Sequence, residues 1–195
     1  MRLPSYERGD GLRHRLFIAM TRLFGAEIDD VGKTAMKRPA FFGAPLLRLA
    51  QAILRGPSAW TVGERELFAA VVSRANDCPF CVGTHSAIAA GAIGSDAFAA
   101  WEDGRYGARV TAACRFVEKL TREPESLGDD DVASARRAGV EDAALVEAVY
   151  VAFFFNVINR IANALEFTHR SDVDRLRGAS MLRRLGYRLP GFLMR

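Results

Sequence analysis

The twenty residues from Glu66 to His85 decide the fold of this chain, and they read E-L-F-A-A-V-V-S-R-A-N-D-C-P-F-C-V-G-T-H. The apolar first half predicts a buried helix. The Asn-Asp pair at 76–77 then supplies helix-capping residues, and Pro79 suits the first turn of a new helix. The sequence therefore predicts two consecutive helices joined by a tight turn, with Cys78 at or beside the start of the second.

Four chemically reactive side chains fall within this stretch. If the chain is helical from Cys78 onward, offsets of three, four and seven place Cys78, Cys81 and His85 on one face. The partial positive charge of a helix N-terminus favours the thiolate form of a cysteine. His85 can accept a proton from Cys81, and Glu66 on the preceding helix can orient the imidazole or relay its proton. Together they are the parts of a thiol redox site.

The spacing E-x11-C-x2-C-x3-H resembles the active-site signature of the alkylhydroperoxidase D-like / carboxymuconolactone decarboxylase superfamily. A second segment, N-V-I-N-R-I-A-N-A-L from Asn156 to Leu165, is similar to the C-terminal helix of the peroxidase-related branch. The resemblance extends over roughly residues 40–170. It implies an all-α, antiparallel helical bundle that assembles as a homo-oligomer (a dimer, trimer or hexamer). It also implies a thiol peroxidase, an oxidoreductase that requires no prosthetic group or metal.

The resemblance also implies roles for the site residues. Cys81 would be the peroxidatic cysteine and Cys78 the resolving one, with His85 as proton relay and Glu66 as its orienting or relaying partner. A hydroperoxide substrate would oxidise Cys81 to a sulfenic acid, which closes a disulfide with Cys78. An external dithiol, or a thioredoxin-like or lipoyl reductant, would reopen that disulfide at Cys78, expected to be the more exposed sulfur. Phe80 departs from the family pattern, because the best-studied members carry a second histidine there.

Length and composition set further limits. We predict that residues 1–195 form a single all-helical domain, with 1–58 as an N-terminal helical lead-in and 170–195 as a basic C-terminal helical extension. Half of the chain is hydrophobic, which is enough for a core. Three cysteines are too few for a secreted disulfide scaffold. The first ten residues lack the apolar segment of a secretion signal, so we expect a cytoplasmic protein.

The charge is unevenly distributed along the chain. Residues 1–60 and 170–195 each carry a balance of +5, and residues 61–169 carry −6, giving the net charge of +4. Basic ends can contact nucleic acid or a membrane surface. However, no run of basic residues is longer than two. We therefore interpret the ends as solvated or packed against acidic regions of neighbouring subunits, and we expect neither a nucleic-acid nor a membrane partner.

Helical periodicity continues along the rest of the chain, without the alternating pattern of a sheet. The residues Thr61 and Glu64 match a capping box that starts the helix bearing Glu66. The third cysteine, Cys114, lies among apolar positions and is interpreted as a core residue. Further helices are predicted over 12–24, from 29–30 to 38, and over 45–54, 108–121, 129–138, 141–165 and 170–188.

The predicted helix over 141–165 carries a polar stripe on an otherwise apolar rod. Asn156, Asn159, Arg160 and Asn163 lie at offsets of three, four and seven, and so share one face. Three alternatives are open for this stripe. It faces solvent, it hydrogen-bonds to the backbone of a loop and to another subunit, or it lines the pocket. The two remaining histidines, His14 and His169, are isolated in sequence and are assigned surface or packing roles.

Three other functional classes stay open at this stage. Cys78, Cys81, His85 and Glu66 could together hold a zinc ion, although structural zinc sites more often draw paired ligands from separate segments. The non-redox carboxymuconolactone decarboxylase-like branch does not need a cysteine pair. A non-catalytic thiol redox sensor or helical interaction protein would use the basic ends as its contact surface.

Overall fold

A computed structural model describes residues 2–5, 11–23, 28–94, 97–169 and 171–188. Within these residues the chain forms ten α-helices and no β-strand, which confirms the all-α prediction. The helices are α1 Leu12–Leu23, α2 Asp30–Lys37, α3 Ala44–Arg55, α4 Val62–Ala75, α5 Pro79–Ile93, α6 Ala97–Glu102, α7 Ala108–Arg122, α8 Asp129–Arg137, α9 Asp142–Leu165 and α10 Asp172–Leu185. A π-helical turn, Pro39–Gly43, leads into α3, and a 3-10 turn, Pro124–Ser126, precedes α8.

Helix α4 is the centre of the bundle. Every residue from 65 to 73 is buried, and the helix contacts α3, α5, α6, α7 and α9. A helix that is buried on all sides belongs to the core of a domain. The predicted capping box starts it: the Thr61 N–H donates to Glu64 Oε2 over 2.7 Å, and the Glu64 N–H donates to Thr61 Oγ1 over 3.3 Å.

The turn between α4 and α5 forms where the sequence predicts it. Asp77 has a left-handed backbone (φ 50°), which reverses the chain immediately after α4. The Cys78 N–H donates to the Ser73 carbonyl over 2.9 Å, and Cys78 then takes the N-cap position of α5. Pro79 follows as the first helical residue, where its missing N–H costs no hydrogen bond. The prediction that Cys78 starts a helix is therefore confirmed.

Helix α9 is the longest and lies across the core. Its inner face includes Ala148, Val151 and Phe155, all fully buried or nearly so. By length and composition alone α9 could cross a membrane, but half of its most apolar window is buried against the rest of the chain. Such burial is typical of a core helix in a folded domain. Glu147 interrupts the apolar run, and its carboxylate accepts from Ser58 Oγ (2.7 Å) and the Ala59 N–H (2.9 Å).

Several predicted details can be compared directly with the structure. Cys114 is fully buried in the main core, as predicted. The short helix α6 was not predicted, and it places Trp101 in the core. Helix α10 packs against α5 and makes up most of the predicted C-terminal extension. The predicted end of the first helix at Phe24-Gly25, the start of the last at Arg170 and the apolar tail from Pro190 lie outside the described residues.

Candidate active site

A cavity of about 380 Å³ lies between α2, α3, α5, α9 and α10. Apolar side chains from four of these helices form most of its wall: Met36, Leu46, Phe154, Phe155, Ile158, Met181 and Leu185. Cys81 and His85 line it from α5. The volume of the cavity falls within the usual range for small-molecule sites, and polar side chains from several segments complete its wall.

Glu66 anchors the polar part of the site from a fully buried position on α4. Its Oε2 lies 2.6 Å from His85 Nδ1. Its Oε1 accepts from Arg55 Nη1 over 2.6 Å and from the Tyr187 hydroxyl over 3.1 Å. Arg55 ends α3, and Tyr187 follows α10, so three separate segments meet on one carboxylate. A buried carboxylate needs hydrogen-bond donors, and these three groups supply at least one to each oxygen.

The charge balance around Glu66 keeps it ionised. Burial pushes the pKa of this carboxyl group upward, but His85 and Arg55 together outweigh burial and hold the pKa below its usual value. A carboxylate bonded to Nδ1 keeps a proton on that nitrogen, so Nε2 is the ring atom that can exchange a proton. The edge-to-face contact with Phe155, with ring centroids 4.5 Å apart, further fixes the orientation of the His85 ring.

Cys78 and Cys81 form a hydrogen-bonded, reduced pair. The pKa of Cys78 is lowered to about 7, first because the Cys81 thiol donates to it, and despite its burial. The pKa of Cys81 is raised well above its usual value, because it is the donor in that bond and is buried. With a pKa of about 7, Cys78 is about half ionised at neutral pH, while Cys81 keeps its proton in the hydrogen bond between the two sulfurs.

The two sulfurs differ in what they face. Cys81 lines the cavity, whereas Cys78 does not. Both residues are almost completely buried, at 1% exposure for Cys78 and 2% for Cys81. Neither sulfur is therefore appreciably exposed, and the expected greater exposure of Cys78 stays a prediction. The cause is local: as the N-cap of α5, Cys78 lies beneath the turn and against α9.

The asparagines of α9 hold this turn in place. Asn76 Nδ2 donates to Oδ1 of both Asn156 and Asn159 over 3.1 Å, and Asn163 Nδ2 donates to the Asn76 carbonyl over 3.0 Å. Asn159 is fully buried, donates to Ser73 Oγ over 3.0 Å, and hydrogen-bonds to both thiols. Of the alternatives for the polar stripe, the structure therefore has the one in which the stripe supplies hydrogen bonds to a loop. The side chains do not line the cavity.

Phe80 stacks on His169, with ring centroids 4.3 Å apart and planes inclined by 15°. His169 Nε2 donates to the Phe80 carbonyl over 2.9 Å. This stacking is the packing role expected for His169. The residue also lines the cavity that Cys81 lines. His14 is buried, and its ring nitrogens have no hydrogen-bond partner among the described residues.

All four predicted site residues converge in the structure, while two important partners were missed in the sequence. Arg55 and Tyr187 are 11 and 121 positions from Glu66, and neither shares a periodic relation with it. The zinc hypothesis loses its geometric support, since no three His, Cys, Asp or Glu side chains in the described part of the chain are placed to hold one ion. In particular, the Glu66 carboxylate already has partners on both oxygens.

Comparison with known proteins agrees with this geometry. Residues 41–119 match the Carboxymuconolactone decarboxylase family, a range that includes all four predicted site residues. No curated protein matches the chain. An uncharacterized peroxidase-related protein from Silicibacter sp. TM1040 has a similar structure, with a TM-score of 0.65 and 23% identity over 82% of this chain and 87% of the other.

A second solved structure has the same fold. It is described as an alkylhydroperoxidase AhpD core, an uncharacterized peroxidase-related protein from Ralstonia eutropha JMP134. The TM-score is 0.69, with 23% identity over 85% of this chain and 89% of the other. Identity at this level establishes the shared fold, and the family match places the sequence motif within it. The chain therefore shares the fold of these two proteins, and its residues 41–119 match the Carboxymuconolactone decarboxylase family.

Proposed function

We propose that this protein is a thiol peroxidase that reduces hydroperoxides with the Cys78–Cys81 pair. The observation that supports it best is the position of Cys81. This sulfur lies on the cavity wall together with His85, and it is hydrogen-bonded to a second thiol that is ionised near neutral pH. A reactant in the cavity would meet the Cys81 sulfur and the His85 ring, and the resolving Cys78 lies next to Cys81 but outside the cavity wall.

In the first step the Cys81 sulfur attacks the distal oxygen of the hydroperoxide. His85 takes the thiol proton and delivers it to the departing alkoxide, so that Cys81–SH and ROOH give Cys81–SOH and ROH. Glu66 stabilises the imidazolium that forms during this transfer through its bond to Nδ1. Sulfur is oxidised by two electrons, and the peroxide bond is reduced by two.

In the second step the Cys78 thiolate attacks the sulfenic sulfur. The S–O bond breaks, the hydroxide leaves as water after taking a proton from solvent, and a Cys78–Cys81 disulfide forms. The low pKa of Cys78 suits this role, because the thiolate is the attacking species. An external dithiol then restores both thiols by exchange through a mixed disulfide.

The cavity wall favours a hydroperoxide with an apolar body. Its aliphatic and aromatic lining would bury such a group, whereas hydrogen peroxide would leave most of the space unfilled. We therefore propose that an arylalkyl hydroperoxide, such as cumene hydroperoxide, is reduced with a higher kcat/KM than hydrogen peroxide. A lower value would show that the cavity does not hold the substrate's organic part.

Decarboxylation of an acidic lactone is the second candidate, because the family match includes that chemistry by name. The charges of the described cavity lining disfavour it. Asp29, Asp30 and Asp174 stand against Lys33 and Arg188. The Lys33 ammonium is moreover 2.8 Å from Asp30 and is neutralised by it. An anionic substrate would gain little attraction from such a wall.

The test is a single-turnover reaction with a Cys114→Ala background, which removes the one uninvolved thiol. One equivalent of cumene hydroperoxide is expected to consume two thiols, and peptide mass mapping to locate a Cys78–Cys81 disulfide that a dithiol clears. Cys81→Ser is expected to abolish hydroperoxide consumption. The mechanism would be refuted if Cys81→Ser consumed the hydroperoxide as fast as the Cys114→Ala parent protein. Loss of peroxide without formation of the disulfide would refute it too.

A further inference from the structure

Lys33 on α2 brings an ammonium group to a cavity wall that is mostly apolar. The residue is 6% exposed, and its ion-pair partner Asp30, one turn earlier on the same helix, is 4% exposed. Taking two charges out of water is costly, and apolar side chains of similar size commonly give a protein that is at least as stable. The presence of this pair on the wall of a cavity therefore calls for an explanation beyond stability.

The two partners use their hydrogen-bonding capacity unequally. Each Asp30 oxygen has a donor, since Oδ1 accepts from Lys33 Nζ over 2.8 Å and Oδ2 accepts from the Thr168 N–H over 3.0 Å. An ammonium group has three N–H donors. Among the described residues, Asp30 Oδ1 is the one acceptor bonded to Lys33 Nζ. Two donors therefore remain for an acceptor, and the space that Lys33 lines is the cavity.

The charges around Lys33 decide which acceptor fits. Asp30 neutralises the ammonium, and Asp29 brings a second carboxyl group to the same wall. A carboxylate or phosphate on a substrate would lie beside these acids as well as beside Lys33, so repulsion would offset the attraction. The carbonyl oxygen of a ketone, aldehyde or ester accepts an N–H without adding a charge. A neutral carbonyl group is therefore the acceptor that suits this position.

Lys33 shares the cavity with the reacting groups but belongs to a different wall. Cys81 and His85 line the cavity from α5, whereas Lys33 lines it from α2. The charge of Asp29 raises the pKa of Cys81, so the beginning of α2 lies within electrostatic range of that sulfur. A single small molecule in this cavity of about 380 Å³ can therefore contact both walls, with its apolar body against side chains such as Phe155.

We propose that Lys33 determines the specificity of this cavity by donating a hydrogen bond to a carbonyl oxygen on the organic part of the hydroperoxide. The substrate class is then an organic hydroperoxide that carries a ketone, aldehyde or ester group away from its peroxide bond. Asp30 is a positioning residue, which holds the ammonium at the cavity wall. This inference rests on the proposed function for the peroxide end of the ligand, but the carbonyl subsite at Lys33 can be tested without turnover.

The first experiment measures kcat/KM for acetylcumene hydroperoxide and isopropylcumene hydroperoxide, each as its meta and para isomers. The two compounds have nearly the same shape, because a carbonyl oxygen in the first replaces a methyl group in the second. Lys33→Met is expected to lower the acetyl-to-isopropyl ratio of kcat/KM about tenfold for at least one isomer, since it removes a hydrogen bond from a charged donor. If Lys33→Met melts early, the double variant Asp30→Asn/Lys33→Met takes its place, because it leaves no unpaired buried charge.

Lys119→Met is the matched control. Lys119 also forms a 2.8 Å ion pair with an aspartate, Asp131, and neither residue lines the cavity. The acetyl-to-isopropyl ratio of kcat/KM in this variant should therefore equal that of the wild type.

The second experiment uses a ligand without a peroxide bond, isopropylacetophenone labelled with ¹³C at the carbonyl carbon, as its meta and para isomers. The carbonyl resonance of the bound ligand is expected to lie further downfield in the wild type than in Lys33→Met, because a hydrogen bond withdraws electron density from the carbonyl carbon. Lys119→Met should give the wild-type resonance.

The two experiments separate the carbonyl subsite from the peroxidase reaction. A ratio of kcat/KM that Lys33→Met leaves unchanged for every isomer, or equal carbonyl resonances in the two proteins, would overturn the subsite even if both hydroperoxides are consumed. A fall by the same factor for both hydroperoxides would overturn it too, and would assign the ion pair to the fold alone. A carbonyl resonance that depends on Lys33 in a protein that reduces no hydroperoxide would support the subsite and refute the proposed function.

Discussion

Glu66 Oε2 and His85 Nδ1 lie 2.6 Å apart in a region from which water is almost excluded. The two residues come from consecutive helices, α4 and α5, and the turn at 76–78 folds one back on the other. The carboxylate sets both the tautomer and the direction of the imidazole, which leaves Nε2 as the atom that can exchange protons. The proton transfers of the proposed reaction depend on this bond.

Replacing His85 by Asn is expected to lower the single-turnover rate of hydroperoxide reduction by about 10²-fold or more, since it removes the general acid–base group. Glu66→Gln is expected to lower it less, because the amide can still contact the ring but carries no charge to stabilise imidazolium. His169→Asn is the control. It changes another histidine on the cavity wall, one whose Nε2 is bonded to the Phe80 carbonyl, and the rate should stay near that of the wild type. Equal losses in His85→Asn and His169→Asn would remove the assigned relay.

Tyr187 ties the segment after α10 to the buried carboxylate. Tyr187→Phe deletes one donor to Glu66 and is expected to lower the free energy of unfolding by about 1 kcal/mol. The single-turnover rate should fall as well, because the carboxylate that orients His85 is less firmly held. Tyr106→Phe removes a hydroxyl of the same kind far from this carboxylate and should change neither quantity. A Tyr187→Phe protein as stable and as fast as the wild type would mean that the 3.1 Å contact contributes nothing.

Arg55 makes stability depend on pH through Glu66. The pKa of Glu66 is lowered in the folded protein. The ionised carboxylate therefore contributes its full stabilisation above the unfolded-state pKa of about 4.3, and this stabilisation is lost as the pH falls through the lower folded-state pKa. Arg55→Met removes one of the groups that lower that pKa. It is expected to destabilise the protein by about 3 kcal/mol at pH 7. The difference from the wild type should shrink as the pH falls below about 4.

Arg65→Met provides the comparison for that experiment. The Arg65 guanidinium is also buried, but its Nη1 donates to the Ile53 and Gly56 carbonyls and to no carboxylate. Its loss of stability, judged by chemical denaturation at each pH, should change less between pH 7 and pH 4 than that of Arg55→Met, because Glu147 and Glu66 act on Arg65 through charge attraction without a hydrogen bond. If the loss of stability in Arg55→Met depends on pH no more than that in Arg65→Met, the Arg55 guanidinium does not control the charge of Glu66.

Local sequence signals were sufficient for every described helix except α6 and for the turn that brings the four predicted site residues together. The capping box at Thr61, the Asn-Asp turn and Pro79 act within a few positions, so they can be recognised without knowing the fold. The same signals place Cys81 one turn after Cys78. Helix α6 gave no such signal, because its six residues are too few for a periodic pattern to stand out.

Tertiary packing decided what the sequence left open. Arg55 and Tyr187 reach Glu66 only because α3 and the segment after α10 meet over α4, and no spacing rule encodes that meeting. Periodicity also grouped the asparagines of α9 on one face but could not say what that face touches. The structure gives the answer: the turn around Asn76. The burial of Cys78 could not be predicted for the same reason, since α9 contributes to covering that residue.

The acid dependence of the disulfide step provides the last prediction. Because the thiolate of Cys78 is the resolving nucleophile, closure of the disulfide should slow about tenfold per pH unit once the pH falls below the pKa that Cys78 has beside the Cys81 sulfenic acid. The sulfenic acid on Cys81 should then persist, and trapping with dimedone after a hydroperoxide pulse should increase from pH 7.5 to pH 5.5 while the disulfide yield falls. Attack by Cys81 relies on His85, so peroxide loss should not follow the same curve.

Cys81→Ala tests the cause of the lowered pKa of Cys78 in the reduced protein. It removes the thiol that donates to Cys78, which is the largest cause of the lowered value, so ultraviolet thiolate absorbance should titrate at higher pH than about 7. Cys114→Ala should leave the wild-type titration unchanged near pH 7, because burial raises the pKa of Cys114 well above its usual value. If Cys81→Ala still titrates near pH 7, the charge on Cys78 has another source, and the ordering of the two cysteines in the proposed mechanism loses its physical basis.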